Sequence, residues 1–389
     1  MNENIRGLYE GFEAYRTPNG GDYQKLLSAG TVVLDANVLL NIYRSSHRTR
    51  EDFLDILNRV SERIWMPHRA VEEFWRSRQS DGVLNHHALK AREARNTLLK
   101  ASKGAVDTLT RWAKDVQLER NDIEKQLFQL QKAFDGVLKL VETRAEQDTL
   151  KESGDTNKDP VLARLEPILR GRVGSPLSND AYTAALAEAM RRGQAKEPPG
   201  FKDFDEKPES LAAGDYLVWE QTLVEAEKRK TGILFVTGDV KEDWWQLRTE
   251  FAPARPRAEL VEEMLRRAGQ QLFMVTPSEL MRIAKDILNV TIEPGSVADL
   301  AHLEQEASTY HVLIEPGFDE SLDRLSEEDG AKAVKMMAHL ASLGPMARSE
   351  GNPHQGDGNV RMLTLDDLII IFLVSEKRRR IIFLSLHVL

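Results

Sequence analysis

The feature that most constrains the fold is a short apolar run, Val32–Leu34, which ends on a carboxylate, Asp35. Consecutive apolar residues suit a strand that is buried on both faces of a parallel sheet. From Val38 onward the apolar residues return at helical spacing, so a helix is expected to follow the strand. Open α/β sheets bind ligands at the carboxyl ends of such strands, but an aspartate in this position is also a common helix N-cap. Asp35 is therefore a candidate for either role.

Composition excludes several classes of protein. The 389 residues include no cysteine, which excludes disulfides, zinc–thiolate sites and cysteine nucleophiles. No apolar run is long enough to cross a membrane, and the first residues lack the pattern of a signal peptide. The formal net charge of −9 argues against a surface that coats nucleic acid nonspecifically. We expect a cytoplasmic protein without membrane contact, large enough for two or three domains.

Periodicity divides the chain into three parts. Strand and helix patterns alternate over residues 1–288, and a second apolar strand, Gly232–Val236, again leads to an aspartate; this predicts an α/β domain. Residues 289–308 are predicted to form a linker. Over residues 309–389 the pattern is one strand, two helices and three further strands, which predicts a small α+β domain.

A helical insertion is predicted inside the first part, over about 82–195. Apolar residues from Leu99 to Val141 follow a heptad spacing, and Ser102 and Arg120 fill the two polar seam positions. This spacing predicts a helical hairpin with a coiled-coil seam. Two roles stay open for it: a structural or dimerisation arm, and a partner-sensing arm.

Carboxylates stand at the ends of several predicted elements of the α/β domain: Asp35, Glu73, Asp215, Asp239 and, one helical turn further on, Asp243. Clusters of carboxylate oxygens suit Mg²⁺ or Mn²⁺. Such an ion would keep neighbouring carboxylates ionised and activate water against a phosphodiester. Each acid alone is as well explained as a surface or capping residue. Two polar side chains beside the acids are expected to orient water or a carboxylate: Asn37 and Thr237.

Four segments, taken in order, resemble the PIN-like nuclease family: Val33–Leu40, Pro67–Arg76, Gly214–Trp219 and Phe235–Trp245. A Pro-Pro-Gly-aromatic-Lys-Asp loop, Pro198–Asp203, is similar to one branch of that family. The resemblance covers roughly residues 5–285, apart from the helical insertion. It implies a three-layer α/β/α fold with a central parallel sheet, and divalent-metal-dependent endonuclease activity, usually on RNA.

The same resemblance implies the roles of the acids. Asp35, Glu73, Asp215 and Asp239 would be the catalytic metal ligands, with Asp243 as a further candidate ligand. We prefer Glu73 to its neighbour Glu72, because the acid of the family precedes an apolar residue, here Phe74.

Basic and aromatic residues close to these motifs are candidates to contact nucleic acid. Lys202 and Lys241 are favoured for the phosphate backbone, since their loops are predicted at the same end of the sheet as the acids. Arg78 and Arg361 are further candidates. Each of these charges also has the simpler interpretation of a solvated surface group. Trp244 and Trp245 would either stack on bases or pack in the core, and core packing is favoured for at least one of them.

The C-terminal part resembles the RelE/ParE toxin fold in the order of its elements and in the strand pattern around Arg361. The resemblance implies either cleavage of mRNA on the ribosome or action on gyrase. Asp367 and Leu368 replace the usual Tyr-Arg, and this part has more acidic than basic residues. A binding module is therefore favoured over a second nuclease. The residues that would support activity are Arg361, the 377–380 turn and His387.

Together these features predict a metal-dependent endonuclease, with RNA favoured over DNA, that acts as a toxin or anti-phage effector. Expected partners are nucleic acid, a second copy of the chain through the helical arm, and an antitoxin or defence partner. One alternative is a catalytically silent scaffold or nucleic-acid-binding regulator that uses the arm and the RelE-like domain. Another is a hydrolase of small phosphorylated molecules, which would need a closed pocket.

Overall fold

A computed structural model of the chain describes residues 7–118, 120–205, 212–246, 254–308, 311–343, 347, 350–354, 357–375 and 380–388. Contacts divide the chain into two compact units. The first unit comprises Met1–Asp22, Pro176–Thr276 and Ala301–Leu389, and the second comprises Tyr23–Ser175 and Pro277–Leu300. The domain boundaries inferred from the sequence stay predictions.

The described helices, in chain order, are α1 (Gly20–Ala29), α2 (Ala36–Arg44), α3 (His47–Arg59), α4 (His68–Arg78), α5 (Asp81–Leu84), α6 (His86–Asp115), α7 (Arg120–Asp148), α8 (Pro160–Leu169), α9 (Asn179–Ala195), α10 (Gly214–Arg229), α11 (Ala258–Ala268), α12 (Pro277–Leu288), α13 (Pro294–Ser308), α14 (Pro316–Leu322) and α15 (Glu327–Leu343). The described strands are β1 (Thr31–Leu34), β2 (Ile64–Trp65), β3 (Ile233–Val236), β4 (Trp245–Gln246), β5 (Arg255–Pro256), β6 (Leu272–Val275), β7 (His311–Ile314), β8 (Asn352–His354), β9 (Asp357–Leu365), β10 (Leu368–Ser375) and β11 (Arg380–Val388). Among the residues described, no helix combines the length and apolar character needed to cross a membrane.

Four short strands of the α/β part each run parallel to a neighbour. In the second unit β1 pairs with β2, with Val32 opposite Ile64. In the first unit β3 pairs with β6, with Ile233 opposite Leu272. Every residue of β1 and of β3 is buried, because apolar residues occupy both faces of these strands. Parallel strands that alternate with helices confirm the predicted α/β class.

Two buried arginines hold the segment that follows α7 against the rest of the second unit. Arg78 donates to Asp159, to the hydroxyl of Tyr43 and to a backbone carbonyl. Arg50 donates to the carbonyl oxygen of Asp148 at 2.9 Å. The side chains of Arg78 and Asp159 are fully buried. Arg78 was expected to contact nucleic acid, but its guanidinium is enclosed in this ion pair and does not reach solvent.

The helical insertion contains a hairpin of two long helices, α6 and α7, which pack on each other. Ser102 and Ala113, two of the expected seam residues, are buried. Leu99, Val116 and Val137 were also expected in the seam, but they are 39%, 49% and 44% exposed. The predicted heptad register therefore does not hold along the whole hairpin. The side chain of the other polar seam position, Arg120, lies outside the described residues.

The C-terminal strands form one sheet in the order β7-β11-β10-β9-β8. β7 is parallel to β11, and the other neighbours are antiparallel. Side chains of α14 and α15, including Phe318 and Leu340, pack with Phe372 and Phe383 in its core. This order of elements is the one predicted from the sequence, with β8 added. Residues 377–379 of the predicted basic turn lie outside the described part.

The segment expected to be a linker contains a regular helix, α13. Before it, Val290 and Ile292 are buried, and within it Leu300 is buried as well. The Ser296 hydroxyl donates to Asp52 at 2.6 Å. Burial of these apolar side chains explains why the segment is ordered although its composition resembles a linker.

Candidate active site: a carboxylate cluster around Lys241

The candidate site of the first unit begins directly after β3. The backbone N–H of Asp239 donates to the Thr237 hydroxyl at 3.0 Å, and the N–H of Lys241 donates to Asp239 Oδ1 at 3.0 Å. The indole N–H of Trp245 donates to the Asp239 carbonyl at 2.6 Å. These bonds hold the chain in a tight turn at the carboxyl end of the strand. The Thr237 hydroxyl thus fixes the backbone of Asp239, and its expected role toward water or a carboxylate stays a prediction.

The ammonium group of Lys241 lies between two carboxylates. Its Nζ is 3.0 Å from Asp239 Oδ2 and 3.1 Å from Asp203 Oδ1. Burial favours the neutral amine, but the charges of Asp239, Asp215 and Asp203 outweigh this and raise the pKa of Lys241 well above its ordinary value. The lysine is therefore held in its charged form.

Asp215 lies in the first turn of α10 and is anchored by an aromatic residue. The indole N–H of Trp244 donates to Asp215 Oδ2 at 3.3 Å. The Trp244 ring stacks on Phe235 of β3, with centroids 5.1 Å apart. Burial, with a lowering contribution from Lys241 and raising contributions from other carboxylates, raises the pKa of Asp215 well above its ordinary value. Trp244 and Trp245 are 2% and 3% exposed, so both pack in the core and neither is free to stack on a base.

Asp243 is the last carboxylate of the cluster, and one of its two oxygens has no hydrogen-bond partner among the described residues. Its Oδ2 accepts the backbone N–H of Lys202 at 3.3 Å. Its Oδ1 is buried and has no hydrogen-bond partner among the described residues. Burial, followed by the charge of Asp239, raises the pKa of Asp243 to about 6. A buried acceptor without a partner costs free energy, and a bound cation or a proton would satisfy it.

The Pro198–Asp203 loop is fixed against the start of α10. Gly200 has a φ of +82°, and a Cβ atom there would lie 2.8 Å from the Cβ of Asp215. Only glycine accommodates both the left-handed backbone and this close approach. Arg192 donates to the Pro198 carbonyl at 2.8 Å and forms two hydrogen bonds to Glu263, at 3.0 and 2.6 Å. The loop is thereby anchored at its first residue, and it delivers Asp203 to Lys241.

The second unit carries Asp35 and Asn37 at the end of β1. Asp35 Oδ1 accepts the backbone N–H of Ala36 at 2.7 Å, and Oδ2 accepts the side-chain amide of Asn37 at 2.6 Å. Asp35 is thus the N-cap of α2, and Asn37 orients its second oxygen. These two hydrogen bonds use one acceptor site on each oxygen, and an ionised carboxylate offers about four such sites.

Glu72 and Glu73 on α4 differ in their surroundings. Glu72 is exposed and pairs with Arg69 at 3.1 Å and with His68 at 3.5 Å on its own helix. Glu73 is only partly exposed. Because Glu72 already serves local ion pairs, these surroundings favour Glu73 as the ligand candidate.

The residues of the cluster fit a divalent cation by their chemistry. Asp203, Asp215, Asp239 and Asp243 supply only oxygen donors, which Mg²⁺ and Mn²⁺ prefer, and Asp243 Oδ1 is an unused acceptor. In the described part of the chain, no group of three or more His, Asp or Glu side chains is already spaced to hold an ion. Within the cluster the Lys241 ammonium lies between Asp203 and Asp239. One oxygen of each carboxylate therefore contacts the ammonium nitrogen in this structure.

The basic residues expected to contact phosphate have different surroundings. The ammonium of Lys202 pairs with Glu242 at 2.5 Å and stays partly exposed. Arg361 donates to the carbonyls of Glu350 and Gly351, at 3.2 and 2.6 Å. Arg361 therefore holds a turn beside β9.

Asp203 was not among the ligands predicted from the sequence. The signal was present, because this aspartate ends the Pro-Pro-Gly-aromatic-Lys-Asp loop. Its position follows from contacts that are distant in sequence: Arg192 and Glu263, which anchor the loop, are 71 residues apart.

Comparison with known proteins assigns the α/β part to a family. The family model described as "PIN like domain" matches residues 31–260, more than half of the chain. No curated protein matches the chain, and no solved structure does. PIN-like domains are generally nucleases, and the matched range includes β1, β3 and the carboxylate cluster. The chain belongs to the PIN-like domain family.

Proposed function

We propose that the chain is a divalent-metal-dependent endonuclease that cleaves phosphodiester bonds, with RNA as the favoured substrate. The observation that carries the proposal is the buried carboxylate cluster after β3, in which Asp243 Oδ1 has no hydrogen-bond partner among the described residues. A buried acceptor without a partner calls for an explanation, and a carboxylate that binds a cation supplies one.

The proposed ligands of Mg²⁺ or Mn²⁺ are Asp35, Glu73, Asp215 and Asp239, with Asp243 as a further ligand. When bound, such an ion polarises the phosphodiester and lowers the pKa of the attacking water. Asn37 orients Asp35 through the 2.6 Å hydrogen bond, and Thr237 orients the turn that carries Asp239. Trp244 holds Asp215 in place.

Phosphate contacts are proposed for Lys202 and Lys241, which lie beside the cluster. Arg78 is not part of the proposal, because it is buried in an ion pair. The hydrogen bonds of Arg361 to the chain itself support a binding module at the C-terminus more than a second nuclease. The RelE-like character of that module stays part of the proposal.

The proposed cellular role is that of a cytoplasmic toxin or anti-phage effector with an antitoxin or defence partner. It rests on the combination of a PIN-like domain with a toxin-like α+β module. Induced expression in a bacterial host tests it: growth arrest by the wild type, absent in Asp215→Asn, is the expected result. Normal growth of both strains, with and without phage, contradicts it.

The second candidate is a scaffold or regulatory protein without catalysis. It is favoured by one observation, that Asp35 is engaged as a helix cap. In this alternative the helical arm and the C-terminal module bind partners, and the arm also supports self-association.

One assay separates the two candidates. Purified protein is incubated with labelled RNA, single-stranded DNA or double-stranded DNA, in Mn²⁺, Mg²⁺ or EDTA, beside Asp35→Asn and Asp215→Asn. The control is Glu166→Gln, an exposed residue of α8 that pairs with Arg170 at 3.2 Å, at the end of the same helix. We expect metal-dependent cleavage that both aspartate variants lose and the control keeps. Cleavage that survives in both variants moves the chemistry elsewhere, and absence of cleavage by the wild type favours the scaffold.

A further inference from the structure

Lys241 engages both oxygens of one carboxylate. Its backbone N–H bonds Asp239 Oδ1 at 3.0 Å, and its Nζ lies 3.0 Å from Asp239 Oδ2. The carboxylate therefore accepts two hydrogen bonds from a single residue. A cation that binds Asp239 through Oδ2 has to share that oxygen with the ammonium or displace it.

The same ammonium connects the cluster to the Pro198–Asp203 loop. Nζ lies 3.1 Å from Asp203 Oδ1, and Asp203 is 4% exposed. The side chain of Lys241 itself is 29% exposed, so part of it reaches solvent. The described contacts of the cluster thus include an internal positive charge on a partly exposed side chain.

The charges of the cluster do not balance. Asp239 and Asp203 both approach the ammonium of Lys241, at 3.0 and 3.1 Å, so two carboxylates share one ammonium group. Like charges held close together repel, and a cation among them stabilises the folded state. Without Lys241, this part of the first unit would be destabilised until another cation entered.

We propose that Lys241 is a built-in counter-ion, which holds the carboxylate cluster together in the metal-free protein and yields Asp239 Oδ2 and Asp203 Oδ1 to the divalent cation on binding. The competition with a divalent cation rests on the proposed function, because it requires that the cluster binds a metal. The counter-ion role rests on the contacts of Lys241 alone. Lys241 is in this proposal a positioning residue that sets metal affinity. Released by the ion, its ammonium is the phosphate contact proposed above.

The test compares Lys241→Met, which keeps the length of the side chain and removes the charge, with Lys241→Arg and with the control Lys228→Met. Lys228 is 77% exposed on α10 and pairs weakly with Glu225, at 3.9 Å. Mn²⁺ affinity is measured by isothermal titration calorimetry, and the melting midpoint is measured in EDTA. Neither readout depends on nuclease activity.

Opposite effects on affinity and stability are expected. Lys241→Met should bind Mn²⁺ at least about tenfold more tightly, since removing a like charge within a few ångströms shifts a charge equilibrium by that order. In EDTA it should melt several degrees lower. Lys241→Arg and Lys228→Met should stay close to wild type in both measurements. If Lys241→Met binds Mn²⁺ as tightly as wild type or more weakly, the proposal that Lys241 and the divalent cation compete for the same oxygens is wrong.

A double variant keeps the test decisive if Lys241→Met alone does not fold. Asp203→Asn with Lys241→Met removes one negative charge with the positive one, so its EDTA melting midpoint should lie above that of Lys241→Met. No such recovery overturns the counter-ion role. If neither wild type nor Lys241→Met binds Mn²⁺, the metal dependence in the proposed function is wrong, while the EDTA comparison still decides the role of Lys241.

Discussion

Gly200 shows how a single residue sets the geometry of the site. Its φ of +82° and the 2.8 Å approach to Asp215 leave no room for a Cβ atom. Gly200→Ala should therefore displace the loop or Asp215. A displacement of about 1 Å can cost up to about a hundredfold in catalysis, so we expect at least about a tenfold loss in Mn²⁺-dependent cleavage.

Gly269→Ala is the matched control for this experiment. Gly269 also has a positive φ, of +65°, but a Cβ atom there would meet no atom within 4 Å. Both variants should lose about 1 kcal/mol of stability from the backbone conformation. Only Gly200→Ala should lose cleavage as well, and equal cleavage by both variants would show that the close approach is unimportant.

Arg78 makes a second prediction at the scale of residues. Its side chain and that of Asp159 are both fully buried, so Arg78→Met leaves a carboxylate without its partner. Breaking a buried ion pair in this way costs about 3–5 kcal/mol, which urea unfolding measures. The exposed neighbour Arg76→Met should change stability by less than about 0.5 kcal/mol. A similarly small change for Arg78→Met would mean that the buried pair is not structural.

Among the elements, α9 is stabilised by ion pairs of Glu188 whose contribution depends on pH. Hydrogen bonds from Arg191 and Arg192 to Glu188, at 2.7 and 2.9 Å, hold its pKa at about 2 against the opposing effect of burial. Its ordinary value is 4.5, so the unfolded chain binds this proton first as the pH falls. The stabilisation is complete above about pH 4.5 and is lost as the pH falls toward 2.

The measurement is the free energy of unfolding of wild type and Glu188→Gln as a function of pH. Wild type should lose more stability than the variant between pH 4.5 and pH 2, because glutamine does not titrate. If the free energies of unfolding of the two proteins changed in parallel over that range, Glu188 would not be the source of the pH dependence.

Other elements show how much of the structure could be predicted from the sequence. β1 and β3 were predictable, because their apolar runs leave no polar face and a carboxylate follows each of them. The position of Asp203 was not, because the loop is anchored by Arg192, which is held in turn by Glu263, 71 residues further along the chain. Lys241 was expected to contact phosphate, and only its distances to Asp203 and Asp239 reveal the ion pairs. The heptad spacing of α6 and α7 predicted the hairpin but not its register, since two helices can pack through neighbouring rows of side chains.

For the whole molecule, burial predicts an uneven distribution of stability. Ser102 and Ala113 are the buried residues of α6, whereas every residue of β1 and β3 is buried. Local opening is easiest where few side chains are buried. In native-state hydrogen exchange we expect the amides of the outer half of the hairpin, around Trp112 and Phe128, to exchange far faster than those of β1 and β3. Equal protection would show that another contact stabilises the hairpin.

The position of Trp244 gives the carboxylate cluster an optical reporter. The indole donates to Asp215 while its ring stacks on Phe235, so the chromophore lies between a carboxyl group of the cluster and a second ring. An indole changes its emission when the electric field around it changes. Titration with Mn²⁺ or Mg²⁺ should therefore alter the fluorescence of the native protein without any label, and Trp244→Phe should remove that part of the signal. The first unit thus carries its own signal, by which the state of the cluster can be followed in solution.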